Sequence, residues 1–177
     1  MPQLLMPRRP VPDLQVQTLA CHKLQLQAGR ARNFSLLVFY RGYHCPLCRA
    51  YLTELNRLHD DFIQRGVEVL VLSSDSEERA RLAASEWGLD KLDPGYGLSI
   101  SDARQWGLYV STSRGMTSTG VEEPALFSEP GVFLIRPDLT LYWGSVQTMP
   151  FARPSFKEML GAIDFVLEKN YPARGEA

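Results

Sequence analysis

The sequence is poor in the residues that build covalent or metal scaffolds. Three cysteines and three histidines occur in 177 residues. So sparse and odd a cysteine set does not describe a secreted disulfide framework. A charge excess is missing too. Nineteen Lys and Arg against twenty Asp and Glu leave a formal net charge of −1, so the chain lacks the basic footprint that grips nucleic acid or an anionic membrane. No apolar run approaches the roughly 20 residues of a membrane helix. The longest, Leu36–Tyr40 and Val67–Leu72, are strand-sized. At the N-terminus the basic pair Arg8-Arg9 follows the short apolar run Leu4-Leu5-Met6, and prolines interrupt it. That is the wrong order for a signal peptide, and a cytoplasmic protein is expected. No glycine-rich phosphate loop is visible, so no nucleotide, flavin or other cofactor is expected, nor any metal.

What is present is ordinary globular composition, 45% apolar and 22% charged. The length suits a single domain over residues 1–177, with residues 1–12, rich in proline, as an irregular arm. From Leu14 to Leu26 apolar residues alternate with glutamines, the period of a half-buried β-hairpin. Ala28-Gly29-Arg30 reads as a turn. Phe34–Tyr40 is a continuous apolar run, which suits a strand buried on both faces. Leu47, Tyr51, Leu52, Leu55, Leu58 and Phe62 then make one helical stripe, closed by Gly66. Val67–Leu72 is the next buried strand. Asp75 and Ser76, followed by Glu77-Glu78, read as the start of a helix whose stripe includes Leu82 and Trp87. Strand, helix, strand and helix in this order predict a parallel βαβ unit. A short helix is expected over Asp102–Trp106. Leu108–Glu129 shows no clear period. Val132–Ile135 and Leu139–Trp143 read as an antiparallel pair, and Phe156–Glu168 as a last amphipathic helix.

The segment that carries chemistry is Phe39-Tyr40-Arg41-Gly42-Tyr43-His44-Cys45-Pro46-Leu47-Cys48-Arg49. It sets C-x-x-C between a buried strand and an amphipathic helix. Pro46 favours the first helical position, where a missing N–H costs nothing. Cys45 then becomes the N-cap, with Cys48 one turn inside. Free N–H groups and the helix dipole at that end stabilise a thiolate, so Cys45 is expected to be the lower-pKa and more exposed thiol. Tyr43 and His44 flank it as candidate substrate contacts, and His44, Arg41 and Arg49 would add donors or positive charge. Two thiols at this spacing can also close a disulfide across one turn. Inert core cysteines are a poorer reading of so mixed a segment. Half of a zinc site would need partners from Cys21, His22, His44 and His59, since no second C-x-x-C exists.

Together these features resemble the thioredoxin fold, and Val38-Phe39-Tyr40-Arg41-Gly42-Tyr43-His44-Cys45-Pro46-Leu47-Cys48 resembles the peroxiredoxin-like branch of the AhpC/TSA family. Glu129–Asp138 is similar to that family's later strand. The resemblance implies an α/β thioredoxin-like fold: a central mixed β-sheet flanked by helices, with an N-terminal β-hairpin. It implies a thiol-based antioxidant oxidoreductase in which Cys45 attacks a disulfide or hydroperoxide, Cys48 resolves the product, and a protein or small thiol supplies electrons; the alternatives are a peroxidase with Cys48 as the peroxidatic Cys, and a non-enzymatic binding module whose dithiol is a passive redox sensor. The two parent patterns nominate different nucleophiles. The peroxiredoxin pattern Pro-x-x-x-Thr-x-x-Cys puts Arg41 on the Pro, Cys45 on the Thr and Cys48 on the peroxidatic Cys, whereas the thioredoxin pattern makes Cys45 the attacker. The arginine that peroxiredoxins place before the late strand is missing from Ser128-Glu129-Pro130-Gly131. Pro130 matches the proline that is cis and packs on the disulfide in thioredoxin-like proteins, so a cis Glu129–Pro130 bond beside the dithiol is expected, with Pro130 as a substrate contact.

Three further expectations follow from position and composition. Leu108–Phe127 should lie beside the dithiol as an access element, anchored by Met116, Val121 and Leu126. Cys21, by the hairpin turn, is a small structural residue or an extra resolving thiol. Tyr142, Trp143 and Phe151 serve the core, a substrate groove or the interface of a homodimer.

Overall fold

The computed structural model describes residues 4–20 and 23–177; Cys21 and His22 lie outside the described residues. Four strands run along the first half, β1 (Gln15–Thr18), β2 (Leu24–Gln25), β3 (Phe34–Phe39) and β4 (Val67–Leu72), with α1 (Pro46–Gln64) between the last two. Next come α2 (Glu77–Glu86), β5 (Gly95–Tyr96), α3 (Ile100–Gln105), β6 (Val110–Thr112), β7 (Leu126–Ser128), β8 (Gly131–Ile135), β9 (Leu141–Val146) and α4 (Phe156–Lys169).

Strand order in the main sheet is β2-β1-β5-β4-β3-β8-β9, with β3 parallel to β4, β4 parallel to β5, and β8 antiparallel to both β3 and β9. This is the expected mixed α/β sheet with its βαβ unit and its antiparallel β1–β2 pair. All six residues of β3 are buried, because it is a central strand covered on both faces. Leu36, Val38 and Tyr40 face α1 and α4, while Leu37 and Phe39 face α3, Trp106 and the N-terminal hairpin. The alternation places Tyr40, and the dithiol beyond it, on the α1 side.

Local signals explain the helix ends. Ser76, Ser99 and Ser155 are N-caps whose side chains accept from the third residue on. Gly66 stands just past α1 at φ +70°, a conformation that favours glycine.

Several expectations are corrected. Leu82 is exposed, and only Ala80 and Ala83 of α2 are buried, with Trp87 at its C-cap. Leu139 lies not in the strand but in its turn, at φ +64°. Residues 108–129 contain the antiparallel ribbon β6–β7, too short for a period to show. Its anchor is Phe127, 1% exposed, whereas Met116 and Leu126 are exposed. The structure contains no cis peptide among the described residues, so Glu129–Pro130 is trans. Pro130 precedes β8, and its carbonyl accepts from Gln147 N at 3.0 Å, so a trans proline leads into a strand paired on both sides.

Candidate active site

Cys45 is the N-cap of α1, at φ −99° and ψ 107°, with Pro46 in the first turn. Its Sγ accepts from Cys48 N at 3.3 Å, and its own N–H donates to Gly42 O at 3.1 Å. The expected placement is therefore met, with one correction: both thiols are buried, Cys45 at 1% and Cys48 at 0% exposure. Both are free, not disulfide-bonded.

The two thiols are electrostatically unequal. Cys45 is lowered to about 6, chiefly because the Cys48 side chain and backbone hydrogen-bond to it, with Arg41 and Arg153 assisting against burial. Burial, followed by the charge and hydrogen bond of Cys45, pushes Cys48 upward. The arrangement thus favours the thiolate at Cys45 and the protonated thiol at Cys48.

Arg153 was not singled out by the sequence. It sits in the irregular stretch after β9, yet its Nη2 donates to Cys48 Sγ at 3.1 Å and approaches Cys45 Sγ to 3.8 Å. Its guanidinium lies 5.0 Å over the Tyr51 ring, and its Nε donates to Pro150 O at 2.8 Å. Tyr51 Oη donates to Pro154 O at 2.6 Å, which holds the segment onto α1. The one sequence signal was an arginine held between prolines, Pro150 and Pro154, just before a helix cap.

A second arginine, Arg41, also helps to lower Cys45. Arg41 pairs with the buried Glu129 at 3.0 Å and with Glu123 at 3.8 Å, and lies 4.8 Å over the Phe127 ring. Ser111 Oγ donates to Glu129 at 2.7 Å. The Ser128–Gly131 stretch thus contributes the carboxylate that holds an arginine, rather than the arginine itself. A cleft of about 480 Å³ opens beside this pair, lined by Arg41, Glu123 and Glu129 with Thr148 and Met149.

His44 and Arg49 depart from expectation. His44 is fully buried edge-on against Phe127, 4.7 Å between centroids, and neither ring nitrogen has a partner among the described residues. Burial and the nearby Arg41 lower it to about 4, so it is neutral and brings no positive charge to the sulfurs. Arg49 turns away to donate to Glu86 O. Tyr43 stacks on Trp87 at 6.2 Å and donates its hydroxyl to Glu86 at 2.7 Å. No cluster of three or more metal-ligating side chains exists among the described residues.

A family model described as the AhpC/TSA family matches residues 7–143, most of the chain and all of the strand–dithiol–helix unit. The chain belongs to the AhpC/TSA family. It is a peroxiredoxin-like, thiol-based oxidoreductase of thioredoxin-like fold.

Solved structures agree with this family in fold. A peroxiredoxin 6 of Arenicola marina superposes with a TM-score of 0.73 at 20% identity, covering 95% of this chain and 76% of that one. A reduced 2-Cys peroxiredoxin of Plasmodium vivax gives 0.73 at 18% identity, over 94% of this chain and 84% of its own. The peroxidoxin BcpB of Mycobacterium tuberculosis gives 0.69 at 16%, covering 92% and 99%. At these identities the likeness is one of fold. No curated protein matches the chain. No described helix is long and apolar enough to cross a membrane.

Proposed function

We propose that this AhpC/TSA protein reduces hydroperoxides with Cys45 as nucleophile and Cys48 as resolving thiol. The observation that carries the reading is the guanidinium of Arg153 at both sulfurs. An arginine there favours the thiolate and the negative charge that develops as an O–O bond breaks. Burial of both thiols adds a size argument, because a hydroperoxide is small and a folded protein's disulfide is not.

The electrons balance as follows. The Cys45 thiolate attacks the distal oxygen of the hydroperoxide, the O–O bond breaks, and the alkoxide leaves and takes up a proton. Cys45 then carries a sulfenic acid. The Cys48 sulfur attacks it, its proton leaves with the hydroxide as water, and the Cys45–Cys48 disulfide closes. Two electrons from an external thiol reductant reopen it by exchange.

Reduction of small disulfides by the same pair is the second reading, favoured by the C-x-x-C spacing. Stopped-flow fluorescence of Trp87, which lies against Tyr40 and Tyr43, compares them. Faster oxidation of the reduced protein by hydrogen peroxide than by a model disulfide is expected. Oxidation by the disulfide alone would overturn the peroxidase reading.

We place Tyr43 and the cleft beside Arg41 on the access path, with the β6–β7 hairpin as its outer wall. Buried His44 and trans Pro130 support that path as wall residues and not as direct contacts. The cytoplasm, where thiol reductants keep such pairs open, is the proposed compartment. The proposed assembly is a homodimer through β9: the main sheet ends there, and residues 8–11 cover only the turn before it and its first residue, Leu141.

A further inference from the structure

One buried charge beside the dithiol has no part in the steps above. Asp75 follows β4 and is only 2% exposed. Its Oδ2 accepts from Tyr43 N at 2.7 Å, while Oδ1 has no partner among the described residues. Its backbone is fixed on both sides: Ser73 Oγ accepts from Asp75 N at 3.2 Å, and Gly97 N donates to Asp75 O at 2.8 Å. The carboxylate is therefore a rigid post under the loop that joins β3 to α1.

The loop is shaped to that post. Gly42 has φ +138°, and a Cβ added there would stand 2.7 Å from Asp75 Oδ1. Only glycine tolerates both the conformation and the approach. Gly42 in turn offers the carbonyl that accepts the Cys45 N–H. The chain of contacts runs from Asp75 to the Tyr43 amide, through Gly42, to the N-cap geometry that aims Cys45 Sγ at Cys48 N.

We infer that Asp75 is a positioning residue for the dithiol, fixing Cys45 at the α1 N-cap through the Tyr43 amide. The inference rests on Cys45 being the nucleophile of the proposed function. The groups facing the carboxyl are Tyr40 at the end of β3, Arg79 on α2 and the Tyr43 amide. Burial raises its pKa to about 6, a folded-state cost of the kind kept where it serves a site. Its charge cannot be what activates Cys45, since a like charge disfavours a thiolate. Its hydrogen bond is what the site uses.

The test separates these two effects. Cys45 reactivity is read as the rate of alkylation by iodoacetamide against pH, which needs neither hydroperoxide nor reductant. Asp75→Asn keeps an acceptor for the Tyr43 N–H and removes the charge, so its midpoint should equal the wild type or fall below it. Asp75→Ala removes the acceptor, and its midpoint should rise by about one unit, roughly a tenfold loss of thiolate below the midpoint. Equal profiles for Asp75→Ala and the wild type overturn the inference. So does loss of reactivity in Asp75→Asn as large as in Asp75→Ala.

If Asp75→Ala does not fold, the wild type still decides. The Tyr43 amide proton, followed by NMR, should shift as the carboxyl titrates, and an amide that does not respond to pH overturns the inference. Failure of the proposed function reads differently: peroxide would not oxidise the protein, yet the Asn and Ala alkylation profiles would still separate.

Discussion

Arg153 Nη2 stands 3.1 Å from Cys48 Sγ, although 105 positions separate the two residues in the chain. The guanidinium lies closer to Cys48 Sγ than to Cys45 Sγ, so on the proposed roles of the two thiols it should matter in both half-reactions. Arg153→Gln should slow oxidation by hydrogen peroxide roughly a hundredfold, with the Cys45 midpoint moved up. Arg153→Lys should recover only part, because a point charge does not span two sulfurs as the planar fork does. Single-turnover stopped-flow measurements check this, and unchanged rates would remove Arg153 from the chemistry.

The pH profile follows from the thiol pair. Cys45 is lowered to about 6, so its thiolate fraction, and the rate of attack, should rise through about pH 6 and level off at neutral pH. Cys48→Ala should remove the hydrogen bond that does most to lower Cys45, moving the midpoint up while leaving a sulfenic acid that dimedone traps. Cys45→Ser should abolish oxidation. A trapped sulfenic acid on Cys48 in that variant, formed at the wild-type rate, would transfer the nucleophile to Cys48.

The buried pair Arg41–Glu129 should show itself in stability. The Glu129 side chain is 4% exposed and that of Arg41 16%. Glu129→Gln leaves the guanidinium without its closest counter-charge and should cost about 3 kcal/mol in urea unfolding. Phe127→Ala, at a fully buried ring that carries both Arg41 and His44, should cost about as much.

Asp75 offers a stability test of opposite sign. Its carboxyl is raised from 3.8 to about 6 in the fold. The folded state therefore holds the proton longer than the unfolded chain does. The stability from this group is full below about pH 4 and is lost as pH rises through about 6. Asp75→Asn escapes that loss, so its stability relative to the wild type should improve by about 2 kcal/mol between pH 4 and pH 7. A constant difference over that range would show that folding leaves the carboxyl at its ordinary pKa.

The hairpin between β6 and β7 should govern access. Glu123 ties it to Arg41, and Arg79 donates to Glu122 O at 2.6 Å. Replacing residues 115–121 by a short Gly-Ser linker keeps both anchors. The rate with cumene hydroperoxide relative to hydrogen peroxide should then rise. An unchanged ratio would assign the hairpin to packing alone.

The sequence by itself determined the parts that depend on neighbours in the chain. The buried run Phe34–Phe39, the stripe of α1 and the capping residues fixed the βαβ unit, because period and capping act over one or two turns. Cys45 at the N-cap with Pro46 behind it followed from the same local rules, and so did the direction of its pKa. The tertiary structure alone decided what surrounds the sulfurs. Arg153, Glu129 and Asp75 arrive from three separate elements, and no spacing in the sequence encodes their meeting. The neutrality of His44 and the trans bond at Pro130 were likewise set by what packs against them. Burial and sheet order bring such groups together, and contacts of that range are fixed by the whole fold rather than by any segment of it.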